Sequence, residues 1–331
     1  MEISLACHIS YGDPSVPLYV VHNGRRDYDT ERTLKVARRY AALHPGRINV
    51  IAYRRPRAPY VAIRQALAEE LAGFRLICKV DDDAFPIAPG WLDALLAARE
   101  AAIAEGRPAA LVVPLINNNT DGFPRVVDAM GLRAEFDHEI SLPHRVGASA
   151  QRLVPKGEIA IGVRGTIWAQ PHVARWLHQR STLEPDAFLA ATASLPHADL
   201  PSSERYSIGC ILFKRGFWDE MAAGVAEPID DEGMCHQHVA TNGLRTLCVQ
   251  SVPFVHIAYW TQREENRDLV PRIRQIYEAR LNLPYPVSLY GGDRLLEIEA
   301  RLRWQARPKR KRKPKPGLLQ RLARRLGFTR T

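Results

Sequence analysis

The sequence predicts an α/β fold, a mostly parallel central sheet flanked by helices. Three observations predict it. Short apolar runs alternate with amphipathic segments of helix length over the first 117 residues. The helical segments close on Gly or Pro signals such as His44-Pro45-Gly46, Gly73 and Gly106. One run, Arg75–Val80, leads straight into Asp81-Asp82-Asp83. Sheets of this class bind their ligands at the carboxyl ends of strands.

Taken in order, Glu2–Ile9 reads as a first strand, then a polar turn at Gly12, Asp13 and Pro14. Leu18–Val21 is a second strand, closed by His22-Asn23-Gly24. Thr30–Leu43 spaces Leu34, Ala37 and Ala41 among basic residues, with Asp29 or Thr30 as cap, and reads as a helix. Ile48–Tyr53 is strand three, Tyr60–Leu71 a helix, and Arg75–Val80 strand four. Pro89–Glu105 is a helix with Leu92, Leu95, Leu96 and Ile103 inward, and Ala109–Ile116 is strand five. Residues 117–205, rich in Asn, Pro, His and Gly, lack this periodicity and read as a loop-rich substrate side. Order returns with a strand at Ser207–Lys214, a helix near Phe217–Ala223 and the acidic turn Asp230-Asp231-Glu232. A helix then closes at Asn242-Gly243, strands occupy Leu244–His256, and a helix covers Asp268–Leu281.

Composition narrows the class. The 331 residues are 46% hydrophobic and 25% charged, enough apolar surface for a real core. No run reaches the roughly 18–20 apolar residues of a membrane span, and the N-terminus reads as carrying no secretory leader. Five cysteines without CxxC spacing read as buried free thiols of a reducing compartment. The net charge of +10 is a property of one end: residues 307–331 hold eleven Lys/Arg and no acid, which leaves residues 1–306 at −1. A near-neutral body argues against a basic nucleic-acid groove, so no specific nucleic-acid partner is expected.

Three adjacent carboxylates repel one another unless a cation neutralises them. On a strand continuation Asp81 and Asp83 share a face and Asp82 takes the other. Carboxylate oxygens favour hard divalent cations, so Mn²⁺ or Mg²⁺ is the expected cofactor. Such an ion bridges two phosphates and stabilises a departing diphosphate. The second acidic site, Asp231 or Glu232, supplies a carboxylate of the type that deprotonates an acceptor hydroxyl, alongside its alternative role in capping the next helix.

An ordered series of motifs then resembles glycosyltransferase family 2. Ile9-Ser10-Tyr11 stands where the family ends its first strand. Val20–Asp27 resembles the family's nucleotide-binding turn, Ala62–Leu67 its Ala-Arg-Asn helix, Lys79–Asp83 its DxD strand and Pro89–Leu92 the segment after it. The match covers residues 1–117 and 207–257. It implies a GT-A (Rossmann-like) fold and inverting transfer of a sugar from a nucleotide-diphosphate donor, with UDP favoured, to a glycan or lipid-linked hydroxyl. By the same resemblance, Ser10 and Tyr11 flank the base or ribose, Arg64 contacts base or phosphate, and Asp82 lies near the ribose. Asp83, with Asp81 and His256, holds the metal, and Glu232 or Asp231 is the base. One departure stands out: the family's base-reading aspartate aligns with His22 or Asn23, and an asparagine hydrogen-bonds a base edge without bringing charge.

The implied organisation is a donor half (1–117), an acceptor half (118–285), a linker (286–306) and a basic tail (307–331). The tail pairs a Pro-broken cationic run with a segment placing Leu318, Leu319, Leu322 and Leu326 on one helical face. That pattern suits an anionic membrane surface and predicts a cytoplasmic protein held at the inner face. The usual setting for the family is bacterial surface polysaccharide synthesis. Two rival readings are a nucleotidyltransferase using the same carboxylates and a non-catalytic membrane- or RNA-binding protein; the first usually wants a Gly- and Lys-rich loop that HISYGDPSVP does not supply.

Overall fold

The computed structural model describes residues 1–25, 28–119, 122–140, 151–152, 167, 170–202, 204–223, 231–257, 262–281 and 283, with 28–29, 151–152 and 204–205 described by backbone alone. All belong to one compact unit, Met1–Gly291. The linker and tail readings, 286–331, fall outside the described residues.

The first element corrects the sequence reading. Glu2–Tyr11 is a helix (α1), not a strand. Its buried residues run without a break from Ile3 to His8, and a short run buried on all sides has no periodicity to distinguish helix from strand. The helix puts Ser4 and His8 one turn apart, and both donate to the carbonyl of Ala84, at 2.8 and 3.3 Å.

The rest follows in order: β1 (Leu18–His22), α2 (Tyr28–Leu43), β2 (Ile48–Ala52), α3 (Pro59–Ala68), β3 (Leu76–Val80), β4 (Ala84–Pro86), α4 (Trp91–Ala104) and β5 (Leu111–Ile116). Residues 117–205, read as irregular, instead contain α5 (Gly122–Ala129), α6 (Arg133–Glu139), β6 (Gln151–Arg152), α7 (Pro171–Arg180), α8 (Pro185–Thr192), β7 (Ala198–Leu200) and β8 (Glu204–Arg205). Then come β9 (Cys210–Lys214), α9 (Gly216–Ala223), α10 (Asp231–Thr241), β10 (Thr246–His256) and α11 (Leu269–Arg280).

The central sheet has the order β3-β9-β5-β10-β4, with β7 also on β10. Here too the expectation is corrected: the sheet is mixed, and within it only β5–β10 pair in parallel among the described residues. The cause is β9, which lies antiparallel between β3 and β5. Because both neighbours oppose β9, β3 and β5 share one direction, and β10 shares it too. The carboxyl ends of β3, β5 and β10 therefore lie along one edge. β1 and β2 pair in parallel as a separate two-stranded sheet.

β5 is buried along its whole length and still carries a proline, which cannot donate to a ladder. The register accommodates it. β9 pairs with β5 only at Leu111 and Val112, and β10 shifts register between Val249 and Pro253, beside Pro114. Aromatic side chains dominate the core, Trp218, Phe85, Phe188, Phe213 and Phe254 among those fully buried.

Candidate functional site

Three polar groups end the three same-sense strands: Asp81–Asp83 after β3, Asn117–Asn119 after β5, and His256 closing β10. The antiparallel β9 begins at the same edge, so its approach, Ile208 and Gly209, meets them. The Asp81 amide donates to Gly209 O at 2.8 Å, and a Cβ on Gly209 would stand 3.7 Å from Asp81 Oδ2.

Each carboxylate has its own surroundings. His256 Nε2 lies 3.1 Å from Asp83 Oδ1, with the imidazole 5% and the carboxylate 28% exposed. Burial disfavours charge on both, but their mutual attraction outweighs it. Asp83 is carried down to about 2, and His256 is raised above the ordinary imidazole value, chiefly by Asp83, with help from Asp81 and Glu232. The backbone fixes the pair, since the Ile257 amide donates to Asp83 O at 3.1 Å. Asp81 is held instead by Lys79, whose Nζ is 2.5 Å from Oδ1 and donates to Ile208 O at 2.9 Å. Burial opposes the Lys79 charge, yet Asp81, Asp231 and Glu232 together raise its pKa. Asp82 is solvent-accessible at the surface but deep enough in the crowded edge that lost hydration, then repulsion from Asp83 and Asp81, raises its pKa.

The second acidic site reaches the same place. Asp231 and Glu232 form the first turn of α10, where negative charge suits the helix dipole. Their fields act on Lys79, and that of Glu232 on His256 as well. Glu232 stands 4.0 Å from the buried His236, which donates to Tyr206 O at 2.7 Å and so anchors the turn. The structure thus pairs Asp83 with His256, holds Asp81 by Lys79 beside them, and sets Asp231 and Glu232 near enough for their charges to act on Lys79 and, for Glu232, on His256.

The remaining predicted residues take up the following positions. Ser10 and Tyr11 occupy the last turn of α1, not a strand end, and Tyr11 hydrogen-bonds Arg280. Arg64 lies exposed on α3, 3.4 Å from Asp219. The Asn23 side-chain oxygen accepts from the Arg25 amide at 3.2 Å.

Sequence reasoning assigned no role to the run that ends β5. Asn117 Oδ1 accepts from the His256 amide at 3.1 Å and the Asn118 amide at 2.7 Å. Its Nδ2 donates to Ser181 Oγ and Thr182 Oγ1 at 3.1 and 3.0 Å. Asn118 exchanges two hydrogen bonds with Gln262, and His178 Nδ1 lies 2.7 Å from Thr182 Oγ1. Burial, then the nearby His256, lowers His178 to about 4. Gly122 lets the chain turn away, for a Cβ there would meet Ile116 O at 1.8 Å. The signal available in sequence was the parallel with β3: an apolar strand followed at once by three identical polar residues.

No protein-family model and no curated protein matches this chain. What the site can do therefore rests on its own donor set. Among the described residues no three His, Cys, Asp or Glu side chains form a ready-made metal cage. Asp83 and His256 do supply adjacent oxygen and nitrogen donors, with Asp81 and Asp82 beside them, a set that suits Mn²⁺ or Mg²⁺.

Proposed function

We propose that this protein is a metal-dependent glycosyltransferase of the GT-A type, moving a sugar from a nucleotide-diphosphate donor to an acceptor hydroxyl with inversion. One observation carries the reading: a carboxylate–imidazole pair at the strand ends, Asp83–His256, sits in the same electrostatic neighbourhood as a second acidic pair, Asp231 and Glu232. Sugar transfer needs both parts, one to hold a diphosphate through a cation and one to take a proton.

A divalent cation bound there supplies Lewis acidity that stabilises the departing diphosphate. Asp83, Asp81 and His256 would hold it. Lys79 keeps Asp81 in position through two hydrogen bonds. Glu232 or Asp231 accepts the proton of the acceptor hydroxyl while that oxygen forms its bond to the anomeric carbon and the carbon–phosphate-oxygen bond breaks. With a single base and direct displacement, the configuration at the anomeric carbon inverts. His256 serves as a ligand only when neutral, so its attraction to Asp83 sets a proton in competition with the cation.

The reading is tested with UDP-, GDP-, CMP- and dTDP-sugars, with and without Mn²⁺, by thermal shift and by donor turnover. A UDP-sugar should raise the melting temperature in the presence of Mn²⁺ and release UDP. Release of pyrophosphate would point to nucleotidyl transfer instead. If no nucleotide sugar is bound or turned over and Asp83→Ala changes nothing, the reading fails.

No helix among the described residues is long and apolar enough to cross a membrane. We assign residues 307–331 to an anionic membrane surface, on the charge and leucine pattern of the tail. Full-length protein should sediment with phosphatidylglycerol vesicles, and removing residues 307–331 should abolish it; indifference of the full chain to such vesicles ends that assignment.

A further inference from the structure

A cleft of about 610 Å³ opens between α2 and the carboxyl ends of β1 and β2, within the range of small-ligand sites. Its wall is strongly one-signed: Arg25, Lys35, Arg38, Arg39 and Arg54 line it, against the single acid Glu31 among the described residues. This stands out in a body whose residues 1–306 sum to −1.

The sequence builds the charge deliberately onto one face. α2 turns Val36, Ala37 and Tyr40 into the core, while Glu31, Lys35, Arg38 and Arg39 follow at helical spacing along the cleft side. Arg54 faces them from the chain just past β2. The floor is rigid. Tyr53 N donates to His22 O at 3.1 Å and Arg57 N to Asn23 O at 2.8 Å, locking the two strand ends together. Gly24, at φ +78°, lets them approach this closely, since a Cβ there would meet Arg55 O at 2.2 Å. Tyr53 also lines the cleft, and its buried hydroxyl has no hydrogen-bond partner among the described residues. The adjoining cavity of about 800 Å³ is different: Arg54, Arg55 and Arg57 are offset there by Glu69 and Glu70.

Like charges crowded on a concave wall repel one another and concentrate counter-ions. Four of the five cations are arginines, whose planar forks match phosphate oxygens in pairs. We propose that this cleft binds a phosphate-bearing ligand, at a site sharing no residue with Asp81–Asp83, Asp231, Glu232 or His256. The ligand is a free phosphoryl compound or the phosphate of a lipid headgroup. The site takes in Gly24 and Arg25 of the turn that resembles the family's nucleotide-binding segment, yet it stands apart from the metal-dependent reading, because it needs no divalent cation.

The test titrates the full-length protein, in EDTA, by calorimetry with inorganic pyrophosphate and with glycerophosphoglycerol, the deacylated headgroup of phosphatidylglycerol, so that no membrane is present for residues 307–331 to bind. The acidic cluster contributes nothing to either arm without a metal. Arg38→Gln/Arg54→Gln should weaken binding on the order of tenfold for each arginine that contacts the phosphate. Lys35→Gln/Arg38→Gln, confined to exposed positions of α2, gives a second reading should the first variant alter the melting curve. Asp83→Asn should leave pyrophosphate binding unchanged. Loss for pyrophosphate identifies a free phosphoryl ligand, and loss for glycerophosphoglycerol alone identifies a headgroup; both support the site. Wild type that binds neither probe, or variants that bind both as wild type does, overturns it.

Discussion

Two strands of like direction, β3 and β5, each end in a run of three identical polar residues, and the runs behave oppositely. Asn117 and Asn118 after β5 are fully buried, satisfied by Ser181, Thr182, Gln262 and the His256 backbone. Asp81–Asp83 after β3 keep partial access to solvent and are matched with cations, Lys79 and His256. An amide both donates and accepts, so neutral neighbours can satisfy it in the dark of the core. A carboxylate only accepts and carries charge, so it needs water or a counter-charge. The asparagine run is the frame, and the aspartate run is the part left able to meet a ligand.

This contrast can be broken from either side. The largest effect is expected from the charged run: Asp83→Ala should lower metal-dependent donor turnover about 1,000-fold, worth roughly 4 kcal/mol of barrier, with a smaller loss of about 2 kcal/mol in urea unfolding as the buried His256 loses its counter-charge. The neutral run should show the reverse balance. Asn117→Leu strands the amides of Asn118 and His256 without acceptors and should cost roughly 3–4 kcal/mol of stability in urea unfolding.

Acidity separates the regions next. His178, at about 4 when folded, binds its proton more readily in the unfolded chain, whose imidazole titrates near 6.5. Stability should therefore fall as pH drops from about 6.5 to 4, by roughly 3 kcal/mol for this group, and His178→Gln should flatten that limb. Its charged counterpart has the opposite sign. The raised pKa of His256 contributes stability that is complete below about 6.5 and is lost as pH rises through its folded value. The Asp83 contribution is present above about 3.9 and disappears as pH falls through about 2.

A smaller change sharpens the division within the charged run. Lys79→Met removes the cation that holds Asp81 and should tighten Mn²⁺ binding about tenfold by calorimetry, since a free carboxylate attracts the ion more strongly. The smallest effect belongs to Arg64→Ala. Its partner Asp219 is as exposed as Arg64 itself, so the melting temperature should change by the equivalent of no more than about 0.5 kcal/mol. A large fall in donor affinity in that variant would instead restore the donor-binding role that the resemblance implies for Arg64.

Much of this arrangement was legible in residue order. Apolar runs at Leu18, Ile48, Leu76 and Leu111 announced β1, β2, β3 and β5, and an aspartate triplet at a strand end marked where ligands would be expected. His256 after VPFV was read as its companion, and the two do stand 3.1 Å apart. What could not be read has physical causes. EISLACHI is buried on all sides, so its apolar pattern fits a helix or a strand equally. The insertion of β9 against the direction of its neighbours is a pairing choice among distant segments, which local propensity does not encode. Lys79 looked like an ordinary strand residue because its three carboxylate neighbours come from β3 and, much later, from α10. The asparagines looked like loop because their partners lie on α7 and beyond β10.

The Asp83–His256 contact joins the turn between β3 and β4 to the end of β10. No fragment ending before Thr246 can make it, however well its own strands pair. The half of the chain that carries the carboxylates keeps Lys79 for Asp81 but lacks the imidazole that Asp83 meets, and on the proposed function the acquisition of Mn²⁺ binding would report, in a single optical or magnetic signal, that β10 had reached its place.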